Sequence, residues 1–430
     1  MLSCVRFFSL FLFILCVVEK GLFSVDSNTF SNKESALVDN GDFLKEEQPL
    51  ELLEGEDLES ALKRLPAPKH LEKYGGFNRG GHNDYNSDLY AYHFKERLTY
   101  AEWQQLPRGV KEIPASGAKA YVISLTSWPA RMKASGPGIW LIIESLMRQK
   151  TKPDRIILWL SLEEYPYGRH HLPKTLLDLE KRGLEIKFVK NNARAANKLL
   201  PALANKIKAN IITVDDDILY PENTVCALKK VHVKNPRAII NNAPIVLSKK
   251  KGIIRPYNSL VLPPCIIYYD GFREKKYYYM FSAKQSPLAV LNGFSGVLYP
   301  FDETGRTFNG LHKRVLTPAL IEKYAWTTDD LWFHVCRLWA KTDLWTSCFD
   351  TGSLEDQPYK ILGIEYCQGA LRDENHILNS RNDKKLRALI KEFPDLCLIM
   401  NVDPLKEHFR YPWYKRLFYG AKQLLGLKIG

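Results

Sequence analysis

Between residues 118 and 234 short apolar runs alternate four times with amphipathic ones, and few folds accommodate that order. Residues 120–126 (AYVISLT), 155–160 (RIILWL), 184–189 (LEIKFV) and 210–214 (NIITV) read as strands, mostly apolar along their length. A helix opened by Pro137 follows the first and runs to Gln149, with Ile139, Ile142, Ile143 and Leu146 on one face. A second spans 173–182 and stops at Gly183, because a glycine just past a helix end accepts the left-handed turn found there. A third, over 195–206, bends or breaks near Pro201, and a fourth starts at Pro221 and runs to about Lys234. Such units predict an α/β, Rossmann-type fold with a mainly parallel sheet flanked by helices on both faces. In such sheets ligands lie beyond the carboxyl ends of the strands. The chemistry is therefore sought at residues 124–131, 163–167, 190–198 and 215–220.

The fourth strand runs straight into Asp215-Asp216-Asp217. Three adjacent carboxylates repel one another, and a cation or bound donors must offset the cost. Mg²⁺ and Mn²⁺ take hard oxygen ligands and often share them between one or two carboxylates and substrate phosphates. Strand alternation would put Asp215 and Asp217 on one side as metal ligands and Asp216 on the other. A solvated acidic turn is the competing account. Downstream, Thr327 or Thr328 would cap a helix carrying Asp329 and Asp330 in its first turn, where the helix dipole favours ionised carboxylates. Trp326 and Trp332 beside them suit the grip of a sugar ring, and an ionised aspartate there would serve as general base. Gly293 and Gly296 precede a short apolar strand and permit close backbone approach to a ligand. Arg131, Arg194 and Lys198 fall at strand ends, where cations neutralise a diphosphate.

The flanks differ. Residues 1–19 hold an apolar run from Phe7 to Val18 that reads as a signal segment or signal anchor, although it is shorter than a typical span. Residues 20–65 are polar and acidic, a linker or stem; 66–117 form an aromatic-rich extension expected to pack on the core; 351–430 extend the main 118–350 domain. The tail from Phe409 to Lys428 interleaves basic and aromatic residues, which suits an anionic membrane face. Lys and Arg number 61 against 48 Asp and Glu, a balance of +13 that favours anionic partners. No nucleic-acid-binding module accompanies that charge, and nucleic acid is not expected as a partner. The eight cysteines show no zinc-ligand spacing; the last six could pair only in an oxidising compartment. No Asn-x-Ser/Thr sequon occurs, which weighs against a eukaryotic secretory lumen.

The series VISLTSWPARM, ESLMRQKTKPDRIILWLSLEEYP, NKLLPAL, IITVDDDILYP, GFSGVLYP and TTDDLW resembles a family of bacterial glycosyltransferase-like proteins, itself similar to the GT-A glycosyltransferases, over about residues 118 to 345. The resemblance implies a nucleotide-sugar donor, while the apolar N-terminus and the basic-aromatic tail point to a glycan or lipid-linked acceptor at a membrane. The resemblance also implies that Asp215 and Asp217 hold a divalent ion on the donor diphosphate, and that Ser124, Thr126 and Arg131 border the nucleotide. Asp216, Gly293 and Gly296 fall in the same donor-binding set. Asp330, or Asp329, would be the base of an inverting transfer, and His334 would approach the metal. The expected setting is the cytoplasmic face of a bacterial inner membrane, with a signal-anchored Golgi enzyme as the alternative. A catalytically silent nucleotide- or carbohydrate-binding protein on the same fold is the competing reading. A phosphohydrolase with an aspartyl nucleophile fits less well, because Ile218 and Leu219 follow the aspartates where that class carries Thr or Val.

Overall fold

The computed structural model describes residues 82–132, 138–254, 284–326, 328–347 and 381–404, with residues 60 and 406 and the short strands Tyr268–Asp270, Arg273–Lys275 and Lys360–Ile361. Its centre is a seven-stranded sheet. The strands are β1 (Gly117–Thr126), β2 (Arg155–Ser161), β3 (Leu184–Val189), β4 (Ala209–Thr213), β5 (Ile239–Asn241), β6 (Val297–Tyr299) and β7 (Leu344–Thr346), in the spatial order β7-β5-β6-β4-β1-β2-β3. All run parallel except β6, which is antiparallel to both β4 and β5. From β1 the chain moves outward through β2 and β3, then returns to lay β4 on the other side of β1. The strand order reverses there, and such a switch point opens a crevice at the carboxyl ends of β1 and β4.

Side chains alternate across the sheet and feed two separate apolar layers. Val122, Ile157, Ile211 and Val297 face one layer, and Ile123, Ile156, Ile212 and Leu298 face the other. Helices α1 (Ser87–Phe94), α2 (Tyr100–Gln104), α3 (Ile139–Met147), α4 (Lys174–Lys181) and α6 (Thr224–Lys234) cover the second layer. Helices α5 (Leu200–Ala204), α7 (Asp329–Trp339), α8 (Arg381–Glu392) and α9 (Asp395–Ile399) cover the first. A reciprocal Thr99–Glu102 cap starts α2 and fixes the entry of Trp103. The indole of Trp103 donates to Glu144 of α3 at 3.0 Å, and Arg182 pairs with the same carboxylate at 2.6 Å. A buried carboxylate with both partners is compensated; removing either would leave a costly charge.

Most sequence expectations fall within a residue or three of the observed elements. The third helix breaks near Pro201 as expected: residues 195–206 divide into a 3-10 turn, Arg194–Lys198, and α5, because Pro201 sits in the first turn of the new helix and cannot continue an old one. The expected membrane setting is corrected: among the described residues no helix is long and apolar enough to cross a membrane. The apolar run 7–18 and the tail 409–428 lie outside the described residues. Cys226, Cys336 and Cys397 are free thiols.

Candidate functional site

The β1/β4 crevice gathers four segments that are far apart in sequence. At its centre is the ammonium of Lys198, whose side chain is only 4% exposed. It lies 2.8 Å from Asp215 Oδ1, 2.9 Å from Asp329 Oδ2 and 3.9 Å from Asp330 Oδ1. The 3-10 turn that carries Lys198 is tied to β1 by the Ser124 hydroxyl, which donates to the Lys198 carbonyl at 2.6 Å. Asp330 in the first turn of α7 accepts the Gly293 N–H on both carboxylate oxygens at 3.1 Å. The Asp215 N–H donates to the Tyr220 hydroxyl at 2.7 Å, and that hydroxyl donates to the Phe294 carbonyl at 2.9 Å. One buried tyrosine thus ties the aspartate turn to the glycine loop.

That loop is held from beneath. The Asn241 carboxamide donates to the Asn292 and Gly296 carbonyls and to Ser295 Oγ, and accepts the Asn292 N–H at 2.9 Å. A Cβ added at Gly293 would lie 2.4 Å from Lys198 Nζ, 3.0 Å from Asp330 Oδ1 and 3.3 Å from Asp215 Oδ1. The backbone approaches the charged cluster as closely as its chemistry allows. Gly296 has φ of 87° and points toward Asn242, Leu228 and Thr224, away from the cluster. Its role is the turn, since only glycine adopts that backbone without strain.

The alternation expected for the aspartates does not extend to them. β4 ends at Thr213, and Asp216 and Asp217 lie in a turn, so strand geometry no longer separates them. Arg131 meets both, Asp217 at 2.9 Å and Asp216 at 3.8 Å, and the Ser127 hydroxyl donates to Asp216 at 2.6 Å. Ser124 is fully buried and Thr126 donates to the Trp159 carbonyl at 2.8 Å; these contacts brace the strand. Arg194 is exposed, with its guanidinium 5.0 Å from the Trp326 ring centroid.

One expectation is corrected here. Trp332 is fully buried, stacked on Tyr324, with its indole N–H donated to the Val315 carbonyl at 3.3 Å. It is core, because the apolar stripe of α7 turns inward. His334, expected near the metal, is likewise buried, with Nδ1 3.3 Å from Arg337. Burial, aided by the Arg337 charge, holds its pKa well below the ordinary histidine value, as in a neutral core residue. Thr328 occupies the N-cap position of α7, but its hydroxyl donates to the Tyr324 carbonyl instead of capping.

Charge is unbalanced in the crevice. Asp215, Asp216, Asp217, Asp329 and Asp330 face the cations Lys198 and Arg131, so carboxylates outnumber the cations by three. Burial, then the Asp216 charge, pushes Asp217 up to about 7. Burial likewise raises Asp330 to about 7, with Lys198 opposing and Asp329 adding to the shift. Burial works against the Lys198 charge, but the three carboxylates around it prevail and hold the ammonium protonated. Among the described residues no three His, Cys, Asp or Glu side chains form a ligand cage. An oxygen-only donor set with surplus negative charge nevertheless fits a hard divalent cation that takes two carboxylates here and the rest from phosphate and water.

Three neighbours were not singled out by the sequence: Ser127, Tyr220 and Glu164. Burial raises Glu164 to about 7, while Asn192 and Arg194 oppose the shift. Each falls inside a strand-end window, so the signal was position; which side chain turns inward was not legible. Asn241 carried no sequence signal.

No protein-family model matches the chain, and no curated protein matches it. Solved structures similar to it include the 4-diphosphocytidyl-2C-methyl-D-erythritol synthase of Anaerococcus prevotii, 16% identical over 48% of this chain and 76% of that one, with a TM-score of 0.26. A mannosyltransferase from Pyrobaculum calidifontis, in complex with GDP-Man and Mn²⁺, is 13% identical over 79% of this chain and 88% of that one, at a TM-score of 0.27. The UTP-bound UGPase of Acinetobacter baumannii is 9% identical over 64% of this chain and 99% of that one, at 0.29. The α/β class itself is read from the sheet.

Proposed function

We propose that this chain is a glycosyltransferase that moves a sugar from a nucleotide-diphosphate donor to a hydroxyl acceptor, with residues 118–350 as the transferase domain. On this reading its product belongs to envelope or surface glycan synthesis. The observation that carries the reading is Lys198: one buried ammonium joins Asp215, at the end of β4, to Asp329 and Asp330, at the start of α7. A donor-side carboxylate and an acceptor-side carboxylate thereby share one crevice wall.

In the proposed reaction Asp330 accepts the acceptor proton as the acceptor oxygen bonds to the anomeric carbon. The bond from that carbon to the diphosphate oxygen breaks, and the nucleoside diphosphate leaves with the electron pair. A carboxylate titrating near 7 is well matched to a proton transfer at neutral pH. The Gly293 N–H fixes its orientation. Arg131 offers positive charge beside the aspartate turn where a phosphate would approach. A divalent ion held by Asp215 and Asp217 would neutralise charge on the departing diphosphate.

Two results test this. A thermal-shift screen of nucleoside diphosphates and sugar nucleotides should find one base that stabilises the wild type only with Mn²⁺ or Mg²⁺, and Asp217→Ala should lose that stabilisation. Full metal-dependent activity in Asp217→Ala would refute the site. Asp330→Asn should bind the same nucleotide with little change while kcat falls by about 10²–10⁴. A wild type that binds nucleotide and transfers nothing across a broad acceptor panel would instead identify a catalytically silent binding protein.

A further inference from the structure

The turn Arg194–Lys198 meets Trp326 and Asp329 through two rungs. The inner rung is the buried Lys198–Asp329 pair at 2.9 Å. The outer rung is Arg194 over the Trp326 ring, 5.0 Å from guanidinium carbon to centroid, at the crevice mouth. The outer rung is unusual in both halves. Trp326 is 38% exposed, whereas the neighbouring aromatics Tyr324 and Trp332 are buried. A π-turn over Ile321–Ala325 sets it there, closed by the Trp326 N–H donating to the Ile321 carbonyl at 3.2 Å. Such π-turns are rare and frequently mark functional sites. Arg194 has φ of 53°, a left-handed conformation that non-glycine residues rarely adopt, and its N–H is pinned by the Asn192 side chain at 2.8 Å. Two local departures from regular backbone thus bring an indole face and a guanidinium fork together in solvent. Core packing does not require either.

We propose that Trp326 and Arg194 form the acceptor subsite, and that it takes a pyranose ring. This rests on the glycosyltransferase reading and names the acceptor class for the same crevice. An indole offers a broad, rigid apolar face at small conformational cost. The C–H face of a pyranose is the complementary surface, and ring hydroxyls at its edge reach the donors of the guanidinium fork. The exposed cation–π contact is weak enough for a sugar to replace part of it. The ring would then lie beside the first turn of α7, where Asp330 awaits the hydroxyl proton. Arg194 belongs in this scheme to the acceptor, and the donor diphosphate is left to Arg131.

The test uses the full chain with methyl pyranosides of glucose, galactose, mannose and N-acetylglucosamine, followed by saturation-transfer NMR and tryptophan fluorescence. A panel of nucleoside diphosphates with Mn²⁺ serves as the donor-side control. At least one pyranoside should bind the wild type; Trp326→Ala should weaken it by about tenfold or more, Trp326→Phe by about threefold or less, and nucleotide affinity should stay within about twofold. Arg194→Ala should weaken the same pyranoside. Loss of nucleotide affinity in Trp326→Ala would move the platform to the donor and overturn the proposal. So would a wild type that binds a nucleoside diphosphate but no pyranoside. A wild type that binds neither overturns the glycosyltransferase reading, and this subsite with it.

Discussion

Lys198→Met is expected to destabilise the protein by about 3–5 kcal/mol near pH 8, the usual cost of removing one partner from a buried ionic cluster. The substitution keeps an unbranched apolar stem one atom shorter than lysine, so most of the loss reports the charge. Asp215, Asp329 and Asp330 would then stand together without the ammonium that joins them. Their repulsion makes proton uptake the remaining relief, and the sign of the pH dependence follows. A carboxyl whose folded-state pKa lies above its unfolded value binds more protons folded than unfolded, so stability falls as pH rises between the two values. Asp330 is already raised to about 7 from 3.8 in the wild type, so its contribution declines between about pH 4 and 7. Removing Lys198 removes the influence that opposes this rise. The variant should therefore regain stability on acidification more steeply than the wild type. Urea unfolding of both proteins at about pH 5 and 8 measures it; equal losses at the two pH values would contradict the charge account.

Gly293→Ala should lower transfer by about 100-fold while leaving the fold in place, the scale expected when catalytic groups are displaced by about an ångström. The added methyl would lie 2.4 Å from Lys198 Nζ, so the ammonium must move, and Asp330 loses its fixed orientation as the N–H that holds it shifts. The backbone is not the obstacle, because Gly293 has an ordinary negative φ. Gly296→Ala makes the contrast: φ of 87° and the Asn242 carboxamide nitrogen at 3.3 Å predict a stability defect before a catalytic one. Comparing kcat and Tm for the two variants separates the roles. Equal kcat for wild type and Gly293→Ala would show that the close approach has no part in the reaction.

How much of this was legible beforehand depended on the kind of interaction. Strand β3 was placed to the residue and β2 to within one, because buried strands are written as local apolar runs whose pattern no distant residue needs to supply. The strand ends followed, and with them Asp215, Lys198 and Arg131 as charged residues at a crevice. Where the readings failed, the deciding partner was remote. Nothing in α7 itself announces that Trp332 packs inward on Val315, 17 positions upstream. Trp326, six residues from Trp332, lies exposed at the end of the π-turn Ile321–Ala325, and that turn has no local signature.

The sequence alone therefore determined the α/β class, the strand–helix order and which strand ends carry charge, since these depend on periodicity and on residue type. Only the tertiary structure decided that one lysine would bridge Asp215 to Asp329 and Asp330, that Arg131 would take both Asp216 and Asp217, and that Tyr220 would tie the aspartate turn to the glycine loop. Those pairings join residues up to 132 positions apart, from Lys198 to Asp330, and exist only once the sheet has set its switch point. The physical reason is that burial assigns the energies: a charge on a strand end costs little in water, and becomes a matter of partnership only when folding removes the solvent around it.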